Sequence, residues 1–135
     1  MFERLADKCG DEVMSISIRF EWDPHGYPRA VVAIPHEMVG EWLESDIQGS
    51  EASATEMIAV FDQVRSGQIP TWEGTGNAFH VETDGHSARM SCLWDESQPQ
   101  CSIPLDDLRE AVARWAEFIR SGRSKPEQVV PGMSA

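Results

Sequence analysis

Two kinds of hydrophobic spacing follow each other in the first part of the chain. Apolar and polar side chains alternate over residues 14–22, which predicts a strand with one buried face. After a turn-forming cluster at 23–28, residues 30–34 are apolar on both faces and β-branched, as is typical of a strand inside a sheet. The two segments together predict an antiparallel hairpin.

Helical spacing begins beyond this hairpin. An apolar stripe over residues 38–47 predicts a first helix, in which Gly40 lowers helix stability by up to about 1 kcal/mol. Ser53 and Glu56 have the spacing of a capping box, which predicts that a second helix begins there. Its apolar residues recur at helical spacing, and Gly67 is expected to cap its end.

A second hairpin is predicted around Asp84-Gly85, one of the strongest two-residue turn signals. The predicted register pairs Thr83 with His86, Val81 with Ala88, and Phe79 with Met90. The apolar residues then share one face, and the polar residues share the other: His80, Glu82, Ser87 and Arg89. Residues 68–76 and 95–100 are expected to be loops.

A third helix is predicted from the apolar stripe over residues 105–119, with Gly122 as its cap. Residues 121–135 have no periodicity and are expected to form a mobile tail. The predicted fold class is α+β: a single domain over residues 1–120, in the order β-β-α-α-β-β-α, with an antiparallel sheet covered by helices.

Charge and length narrow the function classes. The chain has 135 residues, with 11 basic and 23 acidic side chains and a formal net charge of −12. A protein this acidic repels phosphate backbones and anionic lipids. Neither nucleic acid nor a membrane is therefore the expected partner. Residues 1–15 carry no signal-peptide core, and the three cysteines (Cys9, Cys92 and Cys101) match no zinc spacing. These features predict a cytoplasmic protein with reduced thiols.

No pattern in the sequence specifies an enzyme, a metal or another cofactor. The histidines form no zinc-protease motif, and residues 74–76 lack the rest of a phosphate-binding loop. His80 and Arg89, expected opposite each other, either hold an anion or are simply solvated. Cys92 is expected to be a buried, inert thiol. A small hydrolase using His80 or His86 with a carboxylate is the least favoured class.

The tryptophans are predicted to have different roles. Trp42, Trp94 and Trp115 lie on predicted apolar faces and are expected in the core. Trp72 lies in a predicted loop beside Glu73, where it suits either an interface anchor or a cover for the sheet edge.

Five short segments carry a family resemblance: residues 38–43, 72–81, 93–95, 103–105 and 115–119. They resemble the small YacL-like proteins, which are similar to immunity proteins of contact-dependent growth inhibition and other polymorphic toxin systems. The similarity spans residues 13–120. It implies a cytoplasmic α+β protein that binds and blocks a cognate toxin domain, often a nuclease, without catalytic residues. Some YacL-like proteins are chromosomal proteins with another role.

The leading hypothesis is therefore an immunity protein that neutralises a basic, nuclease-type toxin domain by stoichiometric binding. The alternative is a housekeeping binding or regulatory protein with a non-toxin partner. Acidity favours fast and oriented capture of a basic partner. The hypothetical contact set combines carboxylates with one indole: Glu41, Glu44, Asp46, Trp72, Glu73, Asp95 and Glu96. The oligomeric state stays open.

Overall fold

The computed structural model describes residues 16–123, and Cys9, Met14 and residues 124–135 lie outside this range. The described elements are β1 (Ile18–Trp22), β2 (Pro28–Val32), α1 (Glu37–Trp42), a π-helical segment (Leu43–Ile47), α2 (Glu51–Arg65), β3 (Trp72–Thr75), β4 (Phe79–Thr83), β5 (Ser87–Cys92), β6 (Cys101–Pro104) and α3 (Leu105–Arg123). The α+β class is confirmed. The first residues of the predicted tail, up to Arg123, continue α3.

Two strands occur where the sequence did not predict them. β3 lies within the predicted loop 68–76, and β6 directly precedes α3. They form the two edges of a four-stranded antiparallel sheet with the order β3-β4-β5-β6. β3 contains glycine and little β-branched sequence, so pairing with β4 rather than intrinsic propensity makes it a strand.

The N-terminal hairpin is confirmed, but its place in the fold differs from the prediction. β1 and β2 form a separate two-stranded sheet, so β2 does not lie inside a larger sheet in the described chain. Val31 is 42% exposed because only one face of β2 is covered, and Ile34, which lies beyond the end of β2, is 78% exposed. Gly40 of α1 lies on that face, where an added Cβ would come within 2.6 Å of the Ala30 carbonyl oxygen. The glycine therefore permits close packing.

The register of the second hairpin differs from the predicted one by two residues. Val81 pairs with Met90 and Thr83 with Ala88, so Gly85 and His86 form the tip. The Asp84 carboxylate accepts hydrogen bonds from the backbone N–H groups of His86 (2.8 Å) and Ser87 (2.9 Å), which lowers the pKa of Asp84. A shift of two residues leaves every side chain on its predicted face.

The predicted N-terminal cap of α2 and the predicted C-terminal cap of α3 are wrong, whereas the predicted C-terminal cap of α2, Gly67, is confirmed. α2 begins at Glu51 because the Ser50 hydroxyl, not Ser53, accepts a backbone N–H, from Ser53 at 3.1 Å. Gly67 has φ +82° just beyond α2. Gly122 lies inside α3 instead of ending it.

The core lies between the helices, the inner face of the four-stranded sheet and the covered face of the two-stranded sheet. Trp42 and Trp115 are buried as predicted. Trp94 is 79% exposed, so its predicted core position is wrong. It follows the last paired residue of β5, where neither helix covers it. Cys101 is buried, which raises the pKa of its thiol, and Cys92 is half-buried at the margin of the core.

Candidate functional site

An open groove of about 1460 Å³ lies between the two sheets. One wall is the β1–β2 turn, and the other is the neighbouring end of β4 and β5. The floor is formed by residues of the π-helical segment and by the C-terminal half of α3. We call this space the inter-sheet groove.

Large aromatic side chains stand on both walls of the inter-sheet groove. Tyr27, in the β1–β2 turn, is 66% exposed, and Trp94 on the opposite wall is more exposed still. Trp22 also lines the groove and stacks on Phe118 of α3, with ring centroids 4.7 Å apart. Aromatic groups exposed on a concave surface are typical anchors for a protein partner.

Carboxylates line the groove along α1, the start of the π-helical segment and the β1–β2 turn, which together form one wall. Glu44 accepts a hydrogen bond from the Ala30 N–H at 2.7 Å and pairs with Arg29 at 3.2 Å, which raises the pKa of the Arg29 guanidinium. Asp23 has a lowered pKa, mainly because it accepts the Tyr27 backbone N–H at 2.9 Å. Glu41 is exposed, and it forms no ion pair within residues 16–123. It is therefore the carboxylate on this wall that is free to meet a cation.

The floor contains a strained backbone position. Gln48 has φ 63° and ψ −165°, a region that is almost restricted to glycine and costs about 1–3 kcal/mol. The Trp115 indole N–H donates to the Gln48 carbonyl oxygen at 2.7 Å and holds the residue there. Strain of this kind concentrates at binding and catalytic sites.

The hypothetical contact residues are divided between several surfaces. Glu41 and Glu44 line the inter-sheet groove, and the exposed pair Asp95 and Glu96 directly follows Trp94. Asp46 instead accepts the backbone N–H groups of Ala78 (2.9 Å) and Phe79 (3.1 Å). Gly76 belongs to this junction, since an added Cβ would lie 2.5 Å from an Asp46 carboxylate oxygen.

Trp72 and Glu73 lie away from the groove. Trp72 is half-buried and packs edge-on against Phe61 of α2, at a centroid distance of 6.3 Å, so it covers the core. Glu73 lies on the outer face of the four-stranded sheet, where its carboxylate is 3.0 Å from His80 Nε2. The predicted pair of His80 and Arg89 is separated by Glu82, which contacts both.

Sequence reasoning missed Tyr27 and placed Trp94 in the core. Tyr27 lies in a cluster of proline and glycine, and such a turn projects its side chains into solvent. Trp94 stands directly before a polar run that begins at Asp95, which marks the end of sheet pairing. Both signals are local, whereas the alternation of apolar residues in β5 continues to Trp94, two residues beyond the end of the strand at Cys92.

The similarity to known proteins extends over most of the chain. A UPF0231 protein from Shewanella oneidensis is 24% identical over 110 residues, covering 69% of this chain and 87% of the relative. One from Proteus mirabilis is 28% identical over 120 residues, covering 77% and 95%. The chain is similar to UPF0231 proteins. One from Shewanella amazonensis matches at 22% identity over 97% of its own length.

These UPF0231 relatives confirm the YacL-like part of the resemblance and state no activity or partner in their names. No family model matches the chain, and no solved structure matches it. No helix within residues 16–123 has the length and apolar character needed to cross a bilayer.

Proposed function

We propose that this UPF0231-like chain is a binding protein that captures a basic protein domain in the inter-sheet groove. The observation that carries the proposal is the combination of exposed aromatic anchors with an accessible carboxylate around one concave surface. Trp94 and Tyr27 supply apolar area, and Glu41 supplies charge. The proposed role needs no cofactor and no catalytic chemistry.

In its finer form, the proposal is an immunity protein of the cytoplasm that blocks a nuclease-type toxin domain. Nucleases must be basic to hold a phosphate backbone, and a net charge of −12 suits the capture of such a surface. The resemblance to YacL-like proteins is the second support. A housekeeping regulator with a non-toxin basic partner is the alternative, and it would use the same groove.

The structure reduces the set of residues at which binding can be tested without disturbing the fold. Glu44 and Asp46 accept backbone hydrogen bonds, so reversing their charges disturbs folding as well as binding. Tests of binding therefore belong at Glu41 and Trp94, whose side chains are exposed.

The test first establishes whether the gene beside that of this chain encodes a toxin domain, and such a domain is then the binding partner used. We expect the wild-type protein to restore growth of cells that express the domain and to bind it in a one-to-one complex. Glu41→Lys should slow association several-fold at low ionic strength, because steering is lost. Trp94→Ala should weaken binding by about 2 kcal/mol or more, about 30-fold in Kd, through faster dissociation.

Glu56→Lys is the matched control, since it makes the same charge change at an exposed helical residue outside the groove. Raising ionic strength from ~0.01 to ~1 M shortens the Debye length from about 30 to about 3 Å and should slow association of the wild type. Full protection and wild-type kinetics in the Glu41→Lys, Trp94→Ala double variant would place the contact surface elsewhere. Binding without protection would favour the housekeeping alternative.

A further inference from the structure

We propose a zinc site on the outer face of the four-stranded sheet, formed by Glu73, His80 and Glu82. One ligand atom from each of these side chains lies within 4.8 Å of the other two. His80 Nε2 is 3.0 Å from a Glu73 carboxylate oxygen and 3.6 Å from a Glu82 carboxylate oxygen. Ligand atoms around a tetrahedral zinc ion stand about 3.3 Å apart, given zinc–ligand bonds of about 2.0–2.1 Å. Small side-chain movements therefore complete the site.

The register of the sheet places two like charges face to face. Glu73 of β3 pairs directly with Glu82 of β4. Carboxylates directly opposite each other repel, and such pairs destabilise a sheet. His80 precedes Glu82 by two residues, so its side chain is on the same face and reaches the space between the two carboxylates. A cation at this point relieves the repulsion and joins the edge strand β3 to β4.

The imidazole is already oriented as in a metal site. Thr75 lies opposite His80 in the β3–β4 register, and its Oγ1 is 2.7 Å from His80 Nδ1. This hydrogen bond turns Nε2 towards the two carboxylates. An outer partner on the second ring nitrogen is a regular feature of histidine ligands and raises their affinity for the metal.

Arg89 occupies the other side of the cluster. Its guanidinium donates to a Glu82 carboxylate oxygen at 2.6 Å, while the second oxygen of Glu82 faces His80. The arginine is therefore a competing cation for the same carboxylate. Removing it should strengthen metal binding, which a purely structural ion-pair network does not predict.

The ligand set selects the class of metal. One imidazole and two carboxylates suit zinc, whereas magnesium requires octahedral oxygen ligands. Three protein ligands leave a fourth position open for water or for a group of another molecule. This site lies on the sheet face away from the inter-sheet groove, so it is independent of the proposed function.

The test is calorimetric titration of the reduced, full-length protein with zinc chloride, in a buffer that does not chelate zinc. We expect a single zinc ion to bind, and NMR should show a shift of His80 Nε2 on binding. His80→Gln and Glu73→Gln should each abolish the binding. His86→Gln, at an exposed histidine at the tip of the β4–β5 hairpin, is the matched control and should leave it unchanged.

Two further variants separate a metal site from an ion-pair network. Thr75→Val should weaken binding by about 10–100-fold while keeping all three ligands. Arg89→Gln should strengthen it several-fold. Glu73 is 66% exposed, so its variant keeps the test valid if His80→Gln fails to fold. Absence of zinc binding, or binding that survives His80→Gln and disappears when the thiols are alkylated, would overturn the proposal.

Discussion

The two-stranded sheet and the four-stranded sheet both contain a hairpin, yet they are attached to the rest of the molecule in different ways. The inner face of the four-stranded sheet is covered by α2 and α3 and is almost fully buried. The two-stranded sheet meets α3 mainly through aromatic rings. The ring centroid of Phe20 lies 5.8 Å from that of Trp115 and 5.4 Å from that of Phe118. Trp22 also stacks on Phe118.

This difference in packing indicates that the two sheets are stabilised in different ways. An isolated two-stranded hairpin is marginal in water, so β1 and β2 depend on the packing of β2 against α1, on the aromatic stack with α3 and on the Glu44 carboxylate bound to the Ala30 N–H. The four-stranded sheet buries its inner face in the core that it shares with the helices and the two-stranded sheet. The inter-sheet groove therefore lies between a four-stranded sheet and a hairpin of only two strands, and we expect the hairpin to open locally at the lower free energy and so to adjust to a partner.

We expect the largest loss of stability from a substitution at Trp115, which lies in the core and contacts Phe20 of the two-stranded sheet. Trp115 is fully buried and bonds the Gln48 carbonyl. Trp115→Ala should lower the free energy of unfolding by about 3–5 kcal/mol, since it empties a large aromatic site in the core. Urea denaturation followed by circular dichroism measures this change. Trp94→Ala is the matched control, expected within about 0.5 kcal/mol of wild type because Trp94 is exposed. Equal losses in the two variants would contradict the assignment of Trp115 to the core.

A smaller effect should be confined to the two-stranded sheet. An added Cβ at Gly122 would lie 1.9 Å from the Trp22 ring, so Gly122→Ala forces the indole away from Phe118. We expect a loss of about 1–3 kcal/mol, although alanine is otherwise the better helix former by about 1 kcal/mol. Hydrogen exchange should show faster exchange in β1 and β2, with the β4 and β5 amides unchanged.

The Trp22→Ala background is the control for this steric argument. With the indole removed, Gly122→Ala should become neutral or stabilising, which a double-mutant cycle detects as coupling. Additive losses from the two substitutions would show that Gly122 does not act through Trp22. Faster exchange in both sheets alike would show that the two parts do not differ in attachment.

The same comparison explains what the sequence could and could not predict. The apolar stripes of α2 and α3 depend on local spacing, and they predict the buried faces correctly. β3 does not show such a pattern, since its four residues form a strand only through pairing with β4. Because the sequence predicts a loop where β3 lies, it does not place Glu73 beside His80. The inter-sheet groove is likewise a property of two sheets and a helix, and no single segment encodes it.

The smallest expected effect is a pH-dependent loss of stability between α2 and α3, the helices that cover the four-stranded sheet. Asp62 of α2 accepts two hydrogen bonds from the Arg109 guanidinium of α3, at 2.7 and 3.1 Å, and this contact lowers the pKa of Asp62. Its folded pKa is thus below the unfolded value of about 3.9, so the stabilisation is present above that pH and is lost as the pH falls through the folded pKa. Because Asp62 is partly exposed, we expect Asp62→Asn to cost only about 0.2–1 kcal/mol at pH 7.

The stabilities of wild type and Asp62→Asn should converge as the pH falls below about 3.9, in urea titrations at a series of pH values. Asp106→Asn, which breaks a more exposed pair with Arg65 between the same two helices, is the matched control and should have the smaller effect at pH 7. Hydrogen exchange in β1 and β2 should be the same in all three proteins, because neither carboxylate contacts the two-stranded sheet. A gap between wild type and Asp62→Asn that stays constant down to pH 2 would show that the aspartate stabilises the helix pair through packing and not through its charge.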